Sequence, residues 1–183
     1  MKTSRGGYQN LLVYKLAVII FDLTVEFCDR YISKSSRTHD QMVQAARSGK
    51  QNIVEGSLEK SAKGNIKLTG VSRASYGELK EDYEDYLRLK KASLWNKDDP
   101  RVREIRSTRI TDLSNWPNLP NFTKWKQKPE SFANLQITLI YLETYLLDQL
   151  LRSLEKKFVT EGGYTENLFK KRLNYRNEHP WKK

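Results

Sequence analysis

The sequence holds one cysteine and two histidines among 183 residues. A lone thiol, Cys28, excludes a disulfide framework and a cysteine-rich zinc site, since each needs several. Its place in the apolar pair Phe27-Cys28 predicts a buried, unreactive thiol and fits a reducing cytoplasm. His39 and His179 lack the one-turn spacing of a two-histidine metal site. No nucleophile elbow, phosphate-cradling glycine loop or Glu-x-x-His pair occurs. The expectation is therefore no enzyme: no catalytic residue, no metal and no cofactor. Met1 to Gly7 has no apolar signal core, and no apolar run nears the ~20 residues of a membrane helix. The protein is expected in the cytoplasm, with no membrane partner.

Acid is also in short supply. Asp and Glu number 22 against 33 Lys and Arg, which leaves a net charge of +11 and a pI near 9.6. Such a surface attracts polyanions, of which nucleic acid is the commonest; a charge that serves only solubility is the bland alternative. The length suits one domain with an appendage, and a chain of this size hides roughly 70% of its unfolded surface.

What is present is helical periodicity. In the first segment, Tyr8 to Ile32, Leu12, Leu16, Ile19, Leu23 and Phe27 recur at spacings of three and four. The second, His39 to Glu55, carries a stripe of small residues, Met42, Ala45, Ala46, Gly49 and Ile53, that lets a neighbouring helix come close. Thr38 or Asp40 is the expected start cap and Gly56 the expected end cap. The third, Ser61 to Leu94, follows Leu68, Ser72, Ser75, Leu79, Asp82, Tyr86 and Leu89, widened by Val71, Tyr83 and Leu87. Its acidic stretch Glu78 to Tyr86 reads as a solvated face with tyrosines tucked against a neighbour.

A long interruption, 96–130, separates this from the last strong segment. Asp98-Asp99-Pro100 is a helix start with Pro at the first position, and a short basic helix follows with Arg101, Arg103, Arg106 and Arg109. The stretch Trp116 to Phe122 must be irregular. Trp116 and Phe122 are expected to pack; Trp125, beside Lys124, Lys126 and Lys128, suits packing or stacking on bases equally. The fourth segment, Ser131 to Phe158, has Ser131 as its expected cap and a stripe of Leu135, Leu139, Leu142, Leu146, Leu150, Leu154 and Phe158. That stripe, widened by Ile140, Leu147 and Leu151, exceeds what one core needs and suggests self-association. Glu161-Gly162-Gly163 then breaks the helix. A short basic helix follows, and from Arg152 onward nine Lys or Arg face four acids.

Gln41-Met42-Val43-Gln44-Ala45-Ala46-Arg47-Ser48, continued to Asn52-Ile53-Val54-Glu55-Gly56, resembles the ribosomal-RNA intervening-sequence proteins. Their hallmark is a Q-x-x-x-A-A-x-S helix ending in N-I-x-E-G. Ser75-Tyr76-Gly77-Glu78-Leu79 resembles the S-x-x-E-L of their third helix, and Leu12 to Ala17 is similar to their first. Phe158 to Glu166 looks like the suffix that follows the bundle in one bacterial subgroup. Two features depart: the 96–130 segment is longer than in short members, and Lys50 stands where Pro is common.

The resemblance implies an all-α, up-down-up-down four-helix bundle over 1–160, with a basic suffix at 161–183, that assembles as a homopentamer. The family includes accessory proteins of diversity-generating retroelements, which are basic pentamers that bind a reverse transcriptase and nucleic acid. The expected function is electrostatic binding of nucleic acid, RNA or an RNA–DNA hybrid, through Arg47, Lys50, Lys60, Lys63, Lys67, Lys170, Lys171, Arg172 and Arg176. An adaptor role, such as an accessory subunit of a reverse transcriptase, is the alternative. Asn52, Glu55 and Glu78 form either a polar site at one bundle end or a hydrogen-bond network that fixes helix register. A cryptic enzyme using Glu55 and Glu78 is the remote third case.

Overall fold

The structure, a computed structural model, describes residues 7–108 and 120–179, and these are helical with no strand among them. A 3-10 turn, Tyr8–Asn10, leads into α1 (Leu12–Tyr31). Next come α2 (Arg37–Leu58) and α3 (Ala62–Leu89). A short α4 (Pro100–Ser107) and one turn, α5 (Pro120–Thr123), lie in the interruption. Then α6 (Pro129–Glu161) runs for 33 residues, and α7 (Tyr164–Glu178) closes the described chain. Arg109, Trp116 and Trp181 fall outside the described residues.

Chemistry at the helix ends explains where the boundaries moved. Ser36, not Thr38 or Asp40, caps α2, its hydroxyl accepting from the Thr38 N–H. Gly56 does not end α2. It sits buried inside the last turns, where a Cβ would lie 3.1–3.4 Å from Asn65 and Leu68 of α3, so it serves close packing and Glu59 takes the cap. Ser131 is no cap either: α6 begins two residues earlier with Pro129 in its first turn, and the Ser131 hydroxyl donates to the Trp125 and Lys128 carbonyls. Asp99 caps α4 ahead of Pro100 as the sequence predicts. Gly162 ends α6 at φ 76°, a left-handed conformation that glycine adopts without a Cβ penalty.

Each of α1, α2, α3 and α6 packs on two of the others: α1 on α2 and α6, α3 on α2 and α6. Phe27 of α1 is the aromatic hub. Its ring meets Tyr83 and Tyr86 of α3 at 5.0 Å and Phe132 of α6 at 5.4 Å, all edge-on, the arrangement that ring quadrupoles favour. Tyr83 is fully buried and Tyr86 packs against the core, while Glu78, Glu81 and Asp85 stay exposed. The acidic stretch of α3 is thus a solvated face with its tyrosines turned inward. The strap after α3 is pinned to α6 by Asn134, which accepts from the Trp95 N–H and donates to the Ser93 and Glu130 carbonyls. Phe122 is buried as expected. Trp125 is half-buried and packs edge-on against Trp95 at 5.4 Å.

The closest helix approach is between α2 and α3. A Cβ on Gly49 would stand 2.6–3.0 Å from the Tyr76 ring, closer than a real carbon tolerates. Met42, Ala45, Ala46, Gly49 and Ile53 are all buried, so the small stripe of α2 is the surface on which α3 lies. Ser72 of α3 donates to the Gly49 carbonyl at 2.7 Å, and Ser48 and Ser75 share a hydrogen bond at 3.0 Å. Gly77, by contrast, has nothing within 4 Å of a would-be Cβ. Gly49→Ala should therefore cost about 1–3 kcal/mol through overpacking, while Gly77→Ala should gain up to about 1 kcal/mol from helix propensity. Urea denaturation of both variants, followed by circular dichroism, checks the opposite signs.

Candidate nucleic-acid interface and core polar groups

The expected cations divide between two places. Arg47 and Lys50 lie on α2, Lys60 on the turn after it and Lys63 and Lys67 in the first turns of α3. Lys170, Lys171, Arg172 and Arg176 lie on α7. All are exposed except Lys50, which is half-buried with its ammonium 3.9 Å from the Phe21 ring centroid. None of them forms an ion pair among the described residues.

Some cations elsewhere are ion-paired, while Lys15, Arg37, Lys90, Lys91, Lys97, Arg106 and Lys128 make no ion pair among the described residues. Arg73 pairs with Asp148 across α3 and α6, Lys80 with Glu81 and Glu84, Arg88 with Asp85 and Lys126 with Glu26. Asp148 holds the Arg73 guanidinium above its ordinary range, and Glu81, with Glu84, does the same for Lys80. Arg152 and Lys156, near the end of α6, are also exposed and unpaired among the described residues. They extend the α7 set, and the charge excess after Arg152 was their signal in the sequence.

The three polar motif residues are not one site. Asn52 is half-buried and donates to the Ser48 carbonyl and hydroxyl at 2.8 and 3.2 Å, so it links through Ser48 to Ser75 of α3. Glu55 is exposed. Glu78 is exposed too and lines an open groove of about 670 Å³ with Arg37, Gln41, Gln44 and Asp82, farther up α2. Burial with neighbouring Asp85 and Glu78 holds the Asp82 carboxyl above its ordinary range. Only Asn52 belongs to the hydrogen bonds that tie α2 to α3.

Sequence periodicity missed the polar groups in the core. The leucine stripe of α6 is fully buried only at Leu135 and Leu139; Leu142, Leu146, Leu150 and Leu154 are half-buried. The inward positions below Ile140 are Glu143 and Leu147. Gln136 donates to the Ile20 carbonyl, the Thr24 hydroxyl and the Tyr83 hydroxyl at 2.8–3.1 Å, and Tyr83 donates to Thr24. This network joins α1, α3 and α6. Glu143 is wholly buried with neither carboxylate oxygen hydrogen-bonded, as is the hydroxyl of Tyr76. Desolvation pushes the Glu143 carboxyl well above its ordinary range, and burial beside Glu143 pushes Tyr76 up as well. The acid is held neutral in the core. Cys28 is buried as expected, and burial pushes its thiol up to about 12. That pKa leaves almost no thiolate to react.

Among the described residues no helix is long and apolar enough to cross a membrane, and no group of His, Cys, Asp or Glu is placed to hold a metal ion. Compared with family models, curated proteins and solved structures, the chain matches none.

Glu143 makes stability depend on pH. Above its ordinary value of 4.5 the unfolded chain releases a proton that the folded core retains, so stability falls as pH rises through the neutral range. Tyr76 stays protonated on both sides of that range. Glu143→Gln removes the slope. Its gain over the parent at about pH 8 should exceed that at about pH 5 by at least about 1 kcal/mol, read from urea titrations at the two pH values.

Proposed function

We propose that this protein is a non-catalytic, basic helical bundle that binds nucleic acid, RNA or an RNA–DNA hybrid, chiefly through backbone electrostatics. The observation that carries this reading is the concentration of exposed cations at the α2–α3 corner and on α7. Those on the α2–α3 corner and on α7 make no ion pair among the described residues. Unpaired cations are free to neutralise phosphates, and the counterions condensed on the nucleic acid are released when they do, which drives binding.

The arrangement is read as an up-down-up-down four-helix bundle. Contacts pair Asp29 with His39 and Phe21 with Lys50, Ser48 with Ser75 and Gly49 with Ser72, Tyr83 with Gln136 and Arg73 with Asp148, and Tyr31 with Lys126 and Ile20 with Gln136. In each set one partner's number rises as the other's falls, as in antiparallel neighbours. In such a bundle Lys60, Lys63 and Lys67 fall at the same end as the α6–α7 junction. The likeness of α2 and α3 to the intervening-sequence proteins favours a homopentamer, which would repeat this basic end around an axis. Half-buried Leu142, Leu146 and Leu150 on α6 support self-association, because another copy would cover them.

An adaptor that docks on a reverse transcriptase is the second reading. The exposed Leu168 and Phe169 of α7 favour it, since apolar side chains serve a protein partner better than a phosphate backbone.

The test is fluorescence anisotropy with a labelled single-stranded RNA at about 50 and 200 mM salt. Binding should weaken by at least tenfold over that interval. Neutralising Lys60, Lys63 and Lys67 to Gln should weaken it further and flatten the salt slope. Binding indifferent to salt, or absent at the lower salt, would overturn the reading.

A further inference from the structure

The last two turns of α7 carry a cluster that charge alone does not explain. Arg172, Tyr175, Arg176 and His179 stand at i, i+3, i+4 and i+7, one face of a helix. They line a hollow of about 430 Å³. The Tyr175 and His179 rings stack at 4.4 Å between centroids, with 17° between their planes. Tyr175 is 63% exposed. Both guanidinium groups are exposed and make no ion pair among the described residues. The helix itself packs on no other long helix.

Each part has a reason to meet a nucleotide. Two parallel rings, one of them mostly exposed, present an aromatic plane; any base has a π-face to lay on it. Guanidinium groups one turn apart offer planar forks that match phosphate oxygens. The helix C-terminus repels anions through its backbone dipole, so the backbone contributes nothing here and the side chains must supply the affinity. A duplex keeps its bases stacked on one another and hides their faces. The face therefore selects unpaired nucleotides.

We propose that the Arg172–Tyr175–Arg176–His179 face of α7 is a stacking site for one or two unpaired nucleotides of a single strand. The proposal rests on the nucleic-acid reading above and adds to it a preference for single strands. The two arginines hold the phosphates on either side of a base stacked on Tyr175. His179 backs the tyrosine ring and keeps it in plane.

The experiment compares a labelled single-stranded RNA of about ten nucleotides with a duplex of the same length, by anisotropy with the full chain at about 50 mM salt. Tyr175→Ala should weaken single-strand binding about tenfold, the scale of one lost base–aromatic stack. It should leave the salt slope unchanged, because it removes no charge. Tyr175→Phe keeps the ring and should bind like the parent. Duplex affinity should move less than twofold in both variants. Arg172→Gln with Arg176→Gln should lower affinity for both ligands and flatten the slope. Exposed positions on a helix free of long-helix contacts should tolerate all four changes, and circular dichroism checks that they do.

Normal, salt-sensitive RNA binding with Tyr175→Ala equal to the parent overturns the stacking site and leaves the nucleic-acid reading standing. No binding of either RNA overturns both. If Tyr175→Ala changes only the mass of the particle in light scattering without RNA, the face is a contact between copies and the proposal fails.

Discussion

Where α2 meets α3 no side chain separates Gly49 from the Tyr76 ring, and that one omission sets the spacing of the two helices. At this distance Ser72 reaches the Gly49 carbonyl and Ser48 reaches Ser75, so the register is fixed by hydrogen bonds as well as by shape. Tyr76, a large ring with no exposed surface, fills the space a glycine leaves. Its hydroxyl is thereby carried into the core beside Glu143, where neither group finds a partner. The helix pair is close because the sequence placed small residues on one face of α2; the unsatisfied acid that α6 turns inward beside Tyr76 is a cost that the rest of the core must absorb. An unpartnered buried polar group costs about 1–3 kcal/mol, a debit that the Phe27 hub and the apolar face of α1 offset.

Much of this was legible before any coordinates. The stripe Met42, Ala45, Ala46, Gly49 and Ile53 is buried throughout, because small residues leave one way to pack. The start of α4 at Asp99-Pro100 was equally plain, since its cap chemistry is local. What the sequence concealed was tertiary. Periodicity cannot tell which side of a wide apolar band faces inward: it centres the α6 stripe on Leu142 and Leu146 with Leu147 at its margin, whereas the core takes Leu147 and the unexpected Glu143. On α3 Ser72, Ser75 and Leu79 of the expected stripe are buried, with Tyr83 and Leu87 that widen it, but Leu68, Asp82, Tyr86 and Leu89 are not, and Thr69 and Tyr76 join the core instead. Gly56 carries the signal of a helix end and instead makes room for Asn65 and Leu68. Its role depends on a neighbour that no local pattern reveals. Asn52, Glu55 and Glu78 share a motif but not a place.

Core and charge are separable in this protein. The residues that hold the helices together are apolar, aromatic or hydrogen-bonded within the core, and the ion pair of Arg73 with Asp148 ties α3 to α6. Cations without an ion pair among the described residues include a group at the α2–α3 corner and a group along the last helix. Like charges held close without partners raise the energy of the folded state slightly. A polyanion relieves that cost. On the proposed nucleic-acid reading, α1, α2, α3 and α6 carry the fold, and the corner and α7 carry the binding.

Hydrogen–deuterium exchange of the full chain, with and without a single-stranded RNA at low salt, tests that division directly. The account predicts slower exchange on adding RNA at residues 60–67 and 164–178, with the acidic face of α3 at 78–86 unchanged. Protection confined to 78–86, or no protection anywhere while RNA is bound, would contradict it.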